Sequence, residues 1–333
     1  MAYKLDSTSD TNFNQNQLHL FCLQGFGNSL VNWKLFESLQ KNYPITLHLY
    51  NNGSSQFFID LGFNVIQYSK KIDLFKFRHL IGTIAFLFPQ GNREWARGLT
   101  CLKNPCNFYF HRHKNNFLSN YFYSKNAIQI DQNLHDLENN WKLLKYFLKS
   151  ETPPISQMSK LHLGSNKKIL LIHPTASTPF KYYPTTFWNE CLEHFEKSYD
   201  EIEIFCGKNM DEIDFCNKIK RLKTILSINK PFNYLKKRML EANSFIGLDS
   251  ALVHLASYYS LETKVLWSFA DLHRIYPYNT NASIYCPSEV KNAIYFNYPN
   301  QLIPGIARAN FFQMLNTKSH ETIGSLKIPI TYF

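Results

Sequence analysis

The sequence predicts an α/β protein made of two successive halves, each with a parallel sheet covered by helices. Three observations carry this prediction. Short apolar strands alternate with helical segments through both halves of the chain. Several strands stop at small-residue turns that open helices. Glu151 to Asn166, with Pro153-Pro154 and Gly164, reads as a linker between the halves.

The first half opens with a strand at Leu18–Leu23, a turn at Gln24-Gly25-Phe26-Gly27-Asn28 and a helix over Ser29–Lys41 that ends before Tyr43-Pro44. Ile45–Tyr50 alternates as a strand, Gln56–Leu61 is a short helix closed by Gly62, and Val65–Tyr68 and Thr83–Phe88 are further strands. This βαβαβ rhythm argues a parallel sheet. Gly91 to Asn126 mixes aromatics with bases and yields no clear elements. A helix follows over Leu134–Leu148, with Leu137, Trp141, Leu144 and Leu148 at helical spacing.

The second half repeats the rhythm. Strands are expected at Ile169–Ile172, Ile202–Phe205, Ser244–Gly247 and Thr263–Trp267. Helices are expected at Thr186–Lys197, Asp211–Arg221, Pro231–Glu241 and Ala251–Tyr258. Two such halves leave a cleft between them, the default place for a ligand.

At 333 residues the chain is long enough for two ordinary domains, and 44% hydrophobic residues supply their cores. The formal net charge of +11 favours phosphate-bearing or anionic-membrane partners. Abundant Asn, Ile, Tyr and Phe make coding bias an equal explanation of the Lys excess. The seven cysteines, Cys22, Cys101, Cys106, Cys191, Cys206, Cys216 and Cys286, show neither zinc nor redox spacing, which suits reduced thiols in a cytoplasm. Met1 to Gln17 is polar and lacks the apolar core of a secretion signal. The longest apolar run, Leu80–Phe88, falls short of the roughly 20 residues a membrane helix needs. A soluble or at most peripheral protein is expected.

Two strand-to-helix turns carry the chemistry. Asp249-Ser250, with His254 one turn on, stands at the start of a helix, where free N–H groups favour an anion. The plain alternative is an Asp N-cap and a core histidine. His173-Pro174-Thr175-Ala176-Ser177, with Lys181, follows a buried strand and has the hydroxyls and cation for a diphosphate. Its plain alternative is a solvated loop. Gly25-Phe26-Gly27 lacks the third glycine of a dinucleotide fingerprint. The aromatic-basic segment Phe108–Tyr123 reads more readily as self-packed loop than as a nucleic-acid or membrane surface.

Taken in order, these motifs resemble those of the ADP-heptose:lipopolysaccharide heptosyltransferases, glycosyltransferase family 9. The family's H-P-G-A-S and K-x-W-P appear as His173–Ser177 and Lys181-Tyr182-Tyr183-Pro184. Its G-x-D-[ST]-G-x-x-H-[LI]-A appears as Gly247–Ala256, and its H-x-x-E-N as His135–Asn139. Its opening G-x-G-D before a helix ending at Y-P appears as Gly25–Asn28 and Tyr43-Pro44. The resemblance spans most of Leu18 to Pro277.

The resemblance implies a GT-B fold, two Rossmann-like domains facing each other across a cleft. It assigns residues 1–152 to an acceptor-side domain, 153–166 to a linker and 167–310 to a nucleotide-sugar domain. Residues 311–333 are expected to pack back on the N-terminal domain. It implies inverting transfer of a heptose from ADP-heptose, without metal or cofactor, to a hydroxyl of a bacterial surface glycan or glycolipid such as lipopolysaccharide core. The place implied is the cytoplasm, at the inner membrane's cytoplasmic face, with no nucleic-acid partner. Asn28, Lys181 and Asp249 fall at catalytic positions. Thr175, Ala176, Ser177, Lys181, Gly207, Asp249, Ser250, Ala251 and His254 fall at donor-binding ones.

The departures bear on mechanism. The family's opening Asp, its base, is Asn28, and an amide accepts no proton at neutral pH. Asp73, Glu94, His111 and His113 are the substitute base candidates. Tyr183 replaces the family Trp, Ala251 replaces a Gly, and the F-G-P-T-D-P loop reads Trp267-Ser268-Phe269-Ala270-Asp271-Leu272. The rival readings are a donor-binding protein without turnover, motivated by Asn28, and a nucleic-acid binder, motivated by charge but lacking any motif.

Overall fold

A computed structural model describes residues 17–23, 25–50, 53–69, 80, 82–87, 107–112, 127–131, 133–153, 166–268, 272–279, 281–288, 306, 309–316, 321–323 and 326–332. The chain divides into two compact units. The first holds Met1–Gln24, Lys34–Ile130 and Asn140–Glu151; the second holds Gly25–Trp33, Asp131–Asn139 and Thr152–Phe333. Two short segments of the N-terminal half therefore group with the C-terminal one, where the sequence suggested a single boundary. The expected linker lies mostly outside the described residues.

The first sheet contains β1 (Leu18–Cys22), β2 (Ile45–Tyr50), β3 (Asn64–Tyr68), β4 (Thr83–Phe86), β5 (Asn107–Arg112) and β6 (Ala127–Gln129). All neighbours run parallel, in the order β3-β2-β1-β4-β5-β6. This is the doubly wound Rossmann order. Strands β1 and β4 are buried along their whole length, as helix-covered parallel strands must be. Strand β5 lies in the stretch that the sequence left unread, and β6 follows directly after it.

The helix expected over Ser29–Lys41 is two helices, α1 (Phe26–Val31) and α2 (Trp33–Gln40). Asn32 separates them, with its Nδ2 donating to the Asn28 carbonyl at 3.2 Å. That bond competes with continuation of the ladder. Helix α3 (Gly53–Asp60) closes at Gly62, whose φ of 81° favours glycine. Helix α4 (Asp136–Leu143) is shorter than expected and continues as a 3₁₀ turn over Lys145–Phe147.

The second sheet repeats the winding. Its strands β7 (Ile169–His173), β8 (Glu201–Cys206), β9 (Thr224–Ile228), β10 (Ser244–Leu248), β11 (Glu262–Leu266) and β12 (Ala282–Cys286) run parallel in the order β9-β8-β7-β10-β11-β12. Helices α5 (Thr185–Phe195), α6 (Met210–Ile219), α7 (Phe232–Glu241) and α8 (Ala251–Tyr258) connect them as expected. Strand β9 went unpredicted because it is an edge strand with Ile225 and Ile228 exposed, so no buried run announces it.

Residues 311–333 belong to the second unit. After α9 (Leu272–Ile275) and α10 (Phe311–Asn316), the segment forms β13 (Glu321–Ile323) and β14 (Leu326–Tyr332). Strand β14 pairs parallel with β12, and β13 antiparallel with β14. The segment thus extends the second sheet, where its backbone groups find ladder partners. Among the described residues no helix is long and apolar enough to cross a membrane.

Candidate functional site

In the second sheet the winding reverses between the neighbours β7 and β10. Chains leaving the carboxyl ends of such a pair diverge and leave a crevice, the usual ligand site of open α/β sheets. Both turns singled out in the sequence leave from these two strand ends: His173 ends β7 and residues 174–181 follow it, and residues 249–251 follow β10.

Ser250, not Asp249, is the N-cap of α8, with φ −145° and ψ 173°. Asp249 is free of capping and its carboxylate serves two other partners. Lys181 Nζ donates to Oδ2 at 2.7 Å, and Ser268 Oγ donates to Oδ1 at 2.7 Å. Lys181 Nζ also lies 3.4 Å from the Asp249 carbonyl. The pair is nearly dry, with side chains 14% and 3% exposed. Coulomb attraction and the Ser268 bond must offset the desolvation of both charges. Lys181 is carried on a 3₁₀ turn, Pro179–Lys181. Two residues on, the buried Tyr183 donates its hydroxyl to the Trp267 carbonyl at 2.7 Å. This bond fixes the turn against the end of β11, next to Ser268.

A second polar chain crosses the same strand ends. His173 Nδ1 lies 3.0 Å from Ser250 Oγ, and its Nε2 lies 3.4 Å from Thr175 Oγ1. Thr175 Oγ1 donates to Glu212 Oε2 at 3.2 Å. The same oxygen accepts the Gly207 N–H at 2.9 Å. A Cβ at position 207 would meet the Glu212 carboxylate and push it aside, so glycine lets the carboxylate sit this close to the backbone. Burial lowers the pKa of His173 to about 4, so its ring is neutral near pH 7.

Helix α1 packs on α8 within the second unit. A Cβ on Gly27 would meet the Ala251 Cα and the His254 Cδ2 at 3.4 Å each, so the helices touch backbone to backbone. Asn28 is half-buried on α1, next to this contact. His254 is neutral near pH 7, its pKa lowered by burial to about 4.

The sequence model of glycosyltransferase family 9 (heptosyltransferase) matches residues 111–303, more than half of the chain. The chain belongs to this family. No curated protein sequence matches it. Among solved structures, a glycosyltransferase family 9 protein from Veillonella parvula aligns at 14% identity and a TM-score of 0.71, covering 92% of this chain and 97% of its own. E. coli heptosyltransferase WaaC, solved with ADP, aligns at 15% identity and 0.64, covering 81% and 93%. E. coli ADP-heptose lipopolysaccharide heptosyltransferase II aligns at 13% and 0.61, covering 80% and 89%. The fold is the GT-B fold of these transferases.

The family 9 stretch His135–Asn139 has a structural explanation. His135 Nδ1 accepts the Leu137 N–H at 3.1 Å, while Glu138 Oε2 accepts the His135 N–H at 2.9 Å. This is a capping box with histidine in the usual Ser or Thr place. The other ring nitrogen, Nε2, donates to the Tyr276 carbonyl at 2.8 Å. Asp136 pairs with Arg274 at 2.6 Å, and Glu138 Oε1 accepts the Tyr278 hydroxyl at 3.3 Å. Asn139 clasps the Asp131 backbone through both of its amide atoms. The motif thus fastens α4 to the segment 274–278.

The fold brings Lys181, Asp249, Ser250, Ala251, Thr175 and Gly207 to adjoining strand ends. Ala176 is buried, and its carbonyl accepts the Tyr182 hydroxyl at 3.3 Å; Ser177 is exposed. Glu212, Ser268 and His173 bond directly to these candidate residues and were absent from the expected binding set. Glu212 had a signal: it stands three residues after Asn209, the N-cap of α6, in capping-box spacing. Its carboxylate instead reaches past Asn209 to the Gly207 N–H. Of the base candidates, His111 lies on β5, while Asp73, Glu94 and His113 lie outside the described residues, as does Asp271.

Proposed function

We propose that the protein transfers a sugar, a heptose, from an ADP-linked donor to a hydroxyl of a bacterial surface glycan or glycolipid such as lipopolysaccharide core. Transfer inverts the anomeric centre, uses no metal, and takes place in the cytoplasm at the inner membrane's inner face. The observation that carries this reading is the Lys181–Asp249 pair beside the N-terminus of α8. A leaving diphosphate gains negative charge as the glycosidic bond breaks. Lys181 and the first N–H groups of α8, those of Ala251 and Leu252, can stabilise that charge. Each Asp249 oxygen keeps a lone pair for a sugar hydroxyl, because a carboxylate has about four acceptor sites and two are used, one on Oδ2 by Lys181 and one on Oδ1 by Ser268. Asn28 can orient an acceptor hydroxyl but cannot take its proton.

The test is turnover with ADP-heptose and a core glycolipid lacking that heptose. ADP release together with a product heavier by one heptose supports the reading. Donor binding without turnover supports the second reading, a transferase-like binding protein, which Asn28 motivates. Absence of donor binding rejects both.

A further inference from the structure

The hydrogen bonds running from Glu212 to Ser250 have a direction. Glu212 Oε1 accepts from Asn209 Nδ2 at 2.9 Å, and Oε2 accepts from Gly207 and Thr175. Thr175, fully buried, has a single hydroxyl proton. With that proton given to Glu212, Thr175 Oγ1 can only accept from His173, so the 3.4 Å contact requires an N–H on Nε2. A neutral imidazole carries one ring proton, which leaves Nδ1 bare. Nδ1 then accepts the Ser250 hydroxyl across 3.0 Å. Ser250 makes no side-chain bond to its own helix. Its proton is therefore directed inward, and its half-buried oxygen offers lone pairs only, next to Asp249 at the start of α8. A phosphate oxygen also only accepts at neutral pH and is not matched by such a group. A ligand hydroxyl is.

We propose that Glu212 is a positioning residue for donor recognition: through Thr175 and His173 it fixes Ser250 as a hydrogen-bond acceptor for a hydroxyl of the transferred sugar. The diphosphate is left to Lys181 and the helix N–H groups. This assignment rests on the nucleotide-sugar reading above, whereas the direction of the chain does not.

Long-range proton–nitrogen spectra of the histidine rings test the direction. In the parent, His173 is the Nε2–H tautomer across about pH 6 to 8. Thr175→Val keeps the shape, removes the hydroxyl and gives a mixture of tautomers. Glu212→Leu does the same, while Glu212→Gln, which retains an acceptor, preserves the parent tautomer. Circular dichroism selects the folded variants, and either Thr175→Val or Glu212→Leu suffices. In the same variants the affinity for ADP-heptose falls about 3- to 10-fold, the scale of one hydrogen bond, while that for ADP alone stays within about twofold. An Nδ1–H tautomer in the parent, or a tautomer unmoved by both disruptive variants, overturns the role of Glu212. Equal losses for ADP and ADP-heptose overturn the sugar assignment. If the parent binds neither nucleotide, the nucleotide-sugar reading falls and the ligand assignment with it, while the tautomer result still decides the role of Glu212.

Discussion

Lys181 Nζ sits 2.7 Å from Asp249 Oδ2 although 68 residues separate them, and Ser268 satisfies the other carboxylate oxygen. Removing one partner of a nearly dry ion pair leaves an uncompensated charge, typically at 3–5 kcal/mol. Lys181→Ala is expected to destabilise the protein by about 3 kcal/mol in urea unfolding and to weaken ADP-heptose binding by roughly tenfold or more in calorimetry. Lys181→Met combined with Asp249→Leu should recover most of the stability and none of the binding. Unchanged donor affinity in Lys181→Ala would remove Lys181 from the site.

Asn28 lies on α1, the helix that touches α8 at Gly27, and the sequence resemblance implies the family's base position for it. If the parent is inactive, Asn28→Asp should create turnover, with a gain on the order of 10²-fold or more, the scale of general base catalysis. If the parent is active through another base, the rate should change little and the pH–rate profile should keep that group's pKa. An active parent silenced by Asn28→Asp would contradict both cases and make the amide itself functional.

In the proposed reaction Lys181 and the α8 N-terminus take over the neutralisation of the leaving diphosphate that a divalent cation supplies in other transferases. Initial rates should therefore be the same with and without EDTA. Activity lost to the chelator and restored by Mg²⁺ or Mn²⁺ would overturn metal independence.

Acid should destabilise the fold in a defined window. Burial lowers the pKa of His135 to about 3 and those of His173 and His254 to about 4. For His135 the Tyr276 carbonyl opposes the shift, and His254 and Arg274 add to it. The unfolded chain protonates these rings near pH 6.5 while the folded chain does not, so below that pH the unfolded state binds more protons. Stability should be full above about pH 7 and fall as pH drops toward 4. At about 1.4 kcal/mol per pKa unit, the loss should reach several kcal/mol. Urea midpoints across that range measure it. His135→Asn, which can still cap α4, should flatten the curve. An unaltered slope would exclude His135 from the effect.

The candidate site was legible because parallel strands covered on both faces read as continuous apolar runs. Ile169–His173 and Ser244–Leu248 are such runs, and the candidate residues stand at and just beyond their ends. The family motifs marked the same two turns. Strands β9 and β14 were not legible. The first exposes apolar side chains at a sheet edge, and the second is defined by pairing with β12.

By itself the sequence determined the α/β class, the two turns, Lys181 and Asp249 as the charged residues upon them, and an amide, Asn28, after the first glycine turn. Tertiary structure alone decided that α1 joins the second unit, that Asp249 binds Lys181 and Ser268 rather than capping α8, and that Glu212 reaches Thr175 and Gly207. The physical reason is range. Apolar periodicity and turn chemistry act over a few residues and are written locally. Which way a hydroxyl proton points is set by partners brought together from distant strand ends, 77 residues apart for His173 and Ser250.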